Sequence, residues 1–335
     1  MSIVKAEILW SRLCGLSCPY CSMATGKRAC KSEYLWLEGV KNLKNLNCGF
    51  VAIYGAEPLD DFDVLPEFVE ALSKAKIANT LITSCYRQDT KEKLNILFQY
   101  GLRSLTVSYD GSEKYDPSST RKTNRGLEHL RWFKDKYQDK AKIDAAVCMT
   151  INRKNIDEVI PTVHMMNELD IWTLFDFIHP DRGQKGSKCK NTEYTKELLF
   201  TEEDLPKIVR VLTKVQLLKK DGCKIHWSDE LLQQTIDRPE VLIKYDWHCV
   251  DKNFPSWLTV DCTGEVYCCD DFQIKNNTRK WYFWDIEDQL GAFAKYWKEA
   301  TKKECPGCFW NTHRDANLIS AGKASLDAYK HFQEV

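Results

Sequence analysis

Six short β-rich runs alternate with amphipathic stretches from residue 6 to residue 178, and this alternation constrains the fold more than any other feature of the chain. The runs are Ala6–Trp10, Gly49–Tyr54, Thr80–Cys85, Ser104–Tyr109, Ile143–Ile151 and Ile171–Ile178. Between them lie segments such as FDVLPEFVEALSKAK and NIDEVIPTVHMMNELD, with apolar residues three and four apart, the period of a helix lying on a core. Strand–helix–strand units cross over right-handedly and build a parallel sheet, either open or curled into a partial barrel. In both forms the carboxyl ends of the strands make the functional rim. The alternation stops at HPDRGQKGSKCKNTEY, whose Gly- and Lys-rich part, 180–190, reads as a long loop. A helix near Glu202–Lys220 follows, and then a Cys- and Trp-rich tail in which WLTVDCTGEVYCC reads as a hairpin turning at Thr263–Gly264. A chain of 335 residues is long for one core, and the expected division is 1–182, a barrel; 183–245, a helical connection; and 246–335, a small α+β domain.

The start MSIVKAEILW carries Lys5 and Glu7 and does not read as a secretory signal, and no run of 18 apolar residues occurs. The expected location is therefore the cytoplasm, with no membrane partner. In that reducing setting the 15 cysteines are expected as free thiols or metal ligands rather than disulfides. Basic and acidic residues balance at 48 each, so no bulk field recruits nucleic acid or a membrane surface. Local patches such as RQDTKEK and DRGQKGSK keep a nucleic-acid substrate among the alternatives.

Cys14, Cys18 and Cys21 stand just after the first strand, in RLCGLSCPYCSM. A pair of cysteines at one fixed spacing around a given cysteine arises by chance roughly 0.03 times in such a chain. A structural zinc site wants four closed ligands, and needs a distant residue to complete this one. A cube held by three thiolates leaves one iron open to a substrate or cofactor. Following the second strand comes YGAEPL, and SYDG closes the fourth. This combination resembles the radical S-adenosylmethionine (SAM) superfamily, in which the open iron is chelated by the amino and carboxylate groups of SAM.

The resemblance implies a partial (β/α)6 barrel of the radical SAM type. It also assigns cofactor contacts: Tyr20 near the adenine, Gly55, Ala56 and Glu57 at the methionine ammonium, and Ser108 and Arg121 at the ribose or carboxylate. Ala56 departs from the family's second glycine. Tyr115 and Asp116 also resemble the residues just past the fourth-strand motif in related enzymes.

Cys249 is followed by fourteen residues, Gly264, four residues and Cys269, and ECPGCFW later supplies Cys305 and Cys308. That spacing resembles the SPASM/twitch auxiliary-cluster domain of radical SAM enzymes. The resemblance implies a second [4Fe–4S] cluster on Cys249, Cys269, Cys305 and Cys308. Zinc is the rival metal for four thiolates, and Cys268 the rival to Cys269. No cysteine follows Cys308, so one auxiliary cluster is the maximum, as in the shorter twitch form. Cys262 lies in the turn and reads as a bystander. Cys48, Cys85 and Cys148 read as small core hydrophobes; Cys148, on a barrel strand, is also placed to donate a hydrogen atom.

By the same resemblance the chain is an oxidoreductase or isomerase. An electron from a donor such as flavodoxin or ferredoxin cleaves SAM to methionine and a 5′-deoxyadenosyl radical, which abstracts hydrogen from a substrate. Peptide-modifying relatives often place a leader-binding domain before the cysteine triad, and here thirteen residues precede Cys14. The first expectation is thus a small molecule (an amino acid derivative, sugar or nucleoside), with a ribosomal peptide or a nucleobase in nucleic acid as alternatives. Asp176, His179 and Arg182 end the sixth strand and, with Asp270 and Asp271, are the candidate catalytic or anchoring groups. An iron–sulfur electron carrier or a zinc-stabilised binding module is the alternative of another class. Neither accounts for a three-cysteine site on the first strand with GAEP on the second.

Overall fold

The computed structural model describes residues 3–18, 20, 21, 23–111, 123–179, 196–249, 254–269, 279–305, 307, 309 and 311–324. Arg121, Arg182, Asp270, Asp271 and Cys308, and the long loop expected at 180–190, lie outside them.

Six parallel strands follow in sequence order: β1 (Lys5–Ser11), β2 (Phe50–Gly55), β3 (Ala78–Thr83), β4 (Ser104–Ser108), β5 (Asp144–Ile151) and β6 (Trp172–Phe177). The helices that return the chain are α1 (Glu33–Asn45), α2 (Leu65–Ala75), α3 (Thr90–Gln99), α4 (Thr123–Tyr137) and α5 (Val159–Glu168). Local chemistry sets their ends. Ser32 caps α1 by accepting the Leu35 N–H at 3.4 Å, and Glu33 sits in its first turn, where a helix favours negative charge. Helix α1 buries Trp36, Gly39, Val40 and Leu43, one stripe at helical spacing. Trp36 meets Trp10 and Phe68 with centroids 4.8 and 5.3 Å away, which locks α1 and α2 against the outer face of β1.

All six strands stand where the alternation places them, with ends shifted by at most two residues. The largest difference is at β3. Cys85 takes a left-handed conformation (φ 51°), so the strand ends at Thr83.

Past β6, α6 (Leu205–Lys220), α7 (Asp229–Asp237) and the short α8 (Val241–Lys244) pack beside α5. The hairpin is present as β7 (Trp257–Val260) and β8 (Val266–Tyr267), followed by α9 (Ile286–Glu304) and α10 (Asn311–Ser320). It does not stand apart. Strand β7 pairs in parallel with β1, Ile8 opposite Val260, and extends the sheet to the order β6-β5-β4-β3-β2-β1-β7-β8. All four residues of β7 are buried, as in a strand covered on both faces.

The first turn of α10 bridges the two ends of the six-stranded sheet. Asn311 donates to the Phe175 carbonyl on β6 at 2.8 Å, and Thr312 and His313 reach Glu7 on β1 at 3.1 and 2.9 Å. One helical turn reaching both strands means that the sheet curls into a partial barrel. Among the described residues, no helix is long and apolar enough to cross a membrane.

Ser104 and Asp144 pair across β4 and β5, where Ser104 donates to Thr80 and Asp144 at 2.9 and 3.0 Å. Burial pushes the Asp144 carboxyl up to about 7. A carboxyl raised in this way contributes most stability below its unfolded value and loses it as pH rises towards 7. Asp144→Asn is therefore expected to raise stability by about 1–2 kcal/mol more at pH 8 than at pH 5.5, since a tenfold change in acidity is worth about 1.4 kcal/mol. Urea unfolding at the two pH values tests this, and an equal gain at both contradicts it.

Candidate functional site

A cavity of about 640 Å³ occupies the barrel between the strand ends and α10. Cys14, Cys18 and Cys21 all line it, as do Gly55, Ala56 and Ser108. Strand β1 ends at Ser11 and the chain turns over the rim, so the three thiols face the strands' carboxyl ends. The Cys21 N–H donates to the Cys18 carbonyl at 3.1 Å, closing a tight turn between two of them, and the Leu16 N–H donates to Cys14 Sγ at 3.3 Å.

Among the described residues no three His, Cys, Asp or Glu side chains gather as tightly as one metal ion needs. A cube does not need such convergence, because each thiolate takes a different iron. Burial pushes the Cys14 thiol up to about 12, with Glu57 and Asp60 adding to the effect, and a coordinated metal would stabilise the thiolate instead. Three cysteines on one short loop of the cavity wall, with the fourth lining cysteine, Cys148, on β5 rather than in that loop, fit a cluster with one open iron.

Gly55 lets the cofactor loop form. A Cβ there would lie 2.4 Å from the Ser11 carbonyl, where β1 and β2 come closest, while the Ala56 N–H donates to that same oxygen at 2.9 Å. Glu57 binds the protein on several sides. Its carboxylate is 1% exposed and accepts from Leu59 N at 3.2 Å, Thr83 Oγ1 at 2.5 Å, Ser84 N at 3.0 Å and Ser84 Oγ. It ties the end of β2 to the end of β3 and thereby holds the loop in place.

Tyr20 gives its hydroxyl to Asp110 at the end of β4, bracing the triad loop against the far strand. Asp176 lines the cavity, whereas His179 stands behind it, 4.0 Å from Asp176. Ser108 and Cys148 sit opposite each other on β4 and β5, and both line the cavity.

Several lining residues escaped the sequence reading. His226, Trp227, Asn311 and Thr312 come from the chain beyond the barrel, and no local pattern marks them. Lys5 and Glu7 did leave a signal, since two charges at alternate positions of an apolar strand point to a polar barrel interior. Lys5 Nζ meets Glu7 Oε1 at 2.6 Å.

Of the second set, Cys249, Cys269 and Cys305 are among the described residues. Cys249, Cys268, Cys269 and Cys305 all pack on the main core. Gly307 has φ 84° and approaches so closely that a Cβ would lie 2.6 Å from the Tyr245 carbonyl, which brings the turn after Cys305 beside the chain leading to Cys249. Asn317 on α10 donates to the Cys249 carbonyl. Cys262 is buried in the hairpin turn, where its thiol donates to Asp261 at 3.0 Å.

A family model described as Radical SAM superfamily matches residues 8–183, over half of the chain. No protein of curated function matches. Among solved structures, the fold is similar to SuiB from Streptococcus suis bound to S-adenosylmethionine, with TM-score 0.63, 16% identity, 86% of this chain and 65% of that one. It is similar to SuiB bound to precursor peptide SuiA, with TM-score 0.65, 16% identity, 95% of this chain and 73% of that one. Likewise it is similar to native anSMEcpe with bound AdoMet and Cp18Cys peptide, with TM-score 0.59, 19% identity, 100% of this chain and 96% of that one. The chain spans under two thirds of SuiB in its SAM-bound form. At such identity the likeness is one of fold.

Proposed function

The chain belongs to the radical SAM superfamily, and from that premise we propose that it modifies a peptide by SAM-dependent radical chemistry. When bound, the cluster and SAM supply reductive cleavage to methionine and a 5′-deoxyadenosyl radical that abstracts hydrogen from the substrate. The residues of this chain hold and orient. Cys14, Cys18 and Cys21 hold the iron. The backbone at Gly55 and Ala56, with Ser108, binds SAM, and Glu57 keeps that loop in place. Asp176 stands at the rim to anchor the substrate, and Asn311, Thr312 and Trp227 close the cavity against water.

The observation that carries the peptide reading is the whole-chain match in fold to two proteins captured with peptides, SuiA and Cp18Cys. It displaces the first expectation of a small molecule. A cavity of about 640 Å³ lies within the ordinary range for ligand pockets, and would take SAM with one side chain of a longer substrate. Cys249, Cys269 and Cys305, with Cys308, would hold an auxiliary cluster, and flavodoxin or ferredoxin would supply the electron.

A second reading concerns the outcome of the reaction. Cys148 lines the cavity level with Ser108, placed to return a hydrogen atom to the substrate carbon in an isomerisation that leaves the substrate's oxidation state unchanged, the thiyl radical left on Cys148 being restored to the thiol by a second electron from the donor and a proton.

The test is anaerobic turnover with SAM and reductant, in D2O, against peptides encoded beside the chain and against amino acids, sugars and nucleosides. 5′-Deoxyadenosine and product mass are counted together. Peptide-dependent cleavage with a modified peptide is expected, and stimulation by a small molecule alone would sink the peptide reading. Deuterium in an otherwise unchanged peptide selects the isomerisation.

A further inference from the structure

We propose that Asp60 and Tyr86 form a latch on the loop that carries Cys14, and that this latch holds down the reduction potential of the cluster bound there. The inference rests on reading Cys14, Cys18 and Cys21 as iron ligands. Gly15, the residue after Cys14, donates its backbone N–H to Asp60 Oδ2 at 2.9 Å and lies 3.1 Å from Tyr86 Oη. Tyr86 in turn donates its hydroxyl to Asp60 Oδ2 at 2.8 Å, and Arg87 Nη1 meets Asp60 Oδ1 at 3.1 Å. The contact is tight. A Cβ on Gly15 would sit 2.4 Å from Tyr86 Oη and 3.2 Å from its ring.

The latch is mounted on rigid parts. Asp60 ends the 3₁₀ turn Pro58–Asp60 after β2, and Tyr86 lies just past β3, its carbonyl held by Arg125 from α4 at 3.1 Å. Glu57 joins those same two strand ends beneath it. Neither Asp60 nor Tyr86 lines the cavity, so both are positioning residues rather than catalytic ones.

Two effects act in one direction. One-electron reduction adds negative charge to the cluster, and a fixed carboxylate, its side chain only 9% exposed, opposes that charge with little screening by water. The Gly15 N–H is also engaged by Asp60 and so is withheld from a cluster sulfur, and hydrogen bonds to cluster sulfurs are among the factors that set such potentials. Opening the latch removes both restraints.

The test uses the full-length protein, reconstituted anaerobically with iron and sulfide, and titrated with Ti(III) citrate while the first cluster is followed by electron paramagnetic resonance (EPR). The signal that changes on adding SAM belongs to that cluster. Asp60→Asn is expected to shift the reduction equilibrium about tenfold towards the reduced form, about 59 mV for one electron. Gly15→Ala, which pushes the phenol away, is expected to alter the EPR spectrum, and adding Tyr86→Phe to restore it. An Asp60→Asn midpoint equal to the parent's overturns the proposal. If that variant takes up no iron, the Gly15→Ala pair decides, and identical spectra with and without Tyr86→Phe overturn it. A parent with no SAM-responsive signal overturns the reading of the triad itself, and the latch with it.

Discussion

Replacement of Cys14, Cys18 and Cys21 by alanine is expected to abolish reductive cleavage of SAM and to halve the bound iron, from about eight atoms per chain to about four. All three thiols line one cavity, and an iron left open for SAM exists only if three thiolates hold the rest of the cube. The contrast is Cys305→Ala with Cys308→Ala, which also halves the iron but leaves the triad in place. That variant is expected to keep forming 5′-deoxyadenosine, with product formation lost or uncoupled if the auxiliary cluster carries electrons. If the cluster only holds structure, the loss appears in melting temperature instead, because metal binding free energy is then folding free energy. Iron, 5′-deoxyadenosine and product are measured on the same samples. Residual SAM cleavage by the triple variant removes the basis for the first cluster, and zinc in place of iron in the parent's second site removes its electron-transfer role.

The second large effect is on stability. Glu7 is 4% exposed and lies between Lys5, Thr312 and His313. Burial alone would raise its carboxyl, yet Lys5 and His313 beside it hold it well below the usual carboxylate range. Glu7→Ala leaves the Lys5 ammonium buried without its counter-charge, for a loss of about 3–5 kcal/mol. Replacing the pair together, Lys5→Met with Glu7→Leu, removes both charges and is expected to cost far less. The pH dependence has a definite sign. The contribution of Glu7 is complete above its unfolded value of about 4.3 and falls away as pH drops below it, so the parent weakens in acid at this site and Glu7→Ala does not. Chemical denaturation of the three proteins checks the order, and a Glu7→Ala variant as stable as the parent contradicts the assignment.

Features written into short stretches of sequence were legible. The alternation of strands and helices gave the parallel sheet, because each βαβ unit is built from neighbours in sequence, whereas its curl into a barrel was implied only by the family resemblance. The spacing of Cys14, Cys18 and Cys21 put three thiols on one loop for the same reason, and all three line the cavity. Long-range choices were not legible. Nothing local tells β7 to pair with β1, and nothing in HRDAN announces that His313 will meet Glu7, 306 positions away. Glu57 shows a third kind of limit. Its place in GAEP was clear, but whether the carboxylate faced cofactor or protein depended on Thr83 and Ser84 arriving from the next strand.

The pairing of β7 with β1 bears on how the molecule is assembled. Strand β1 is the first of the eight sheet strands to leave the ribosome, yet its second neighbour is residues 257–260. Until those emerge, β1 presents a bare row of backbone donors and acceptors, the template for mispairing between chains. Contacts closed over so long a loop also form slowly. A chain cut between residues 177 and 257 therefore keeps every strand of the barrel and still leaves its oldest edge open, so aggregation during synthesis, rather than a stable half-protein, is the expected fate of such fragments.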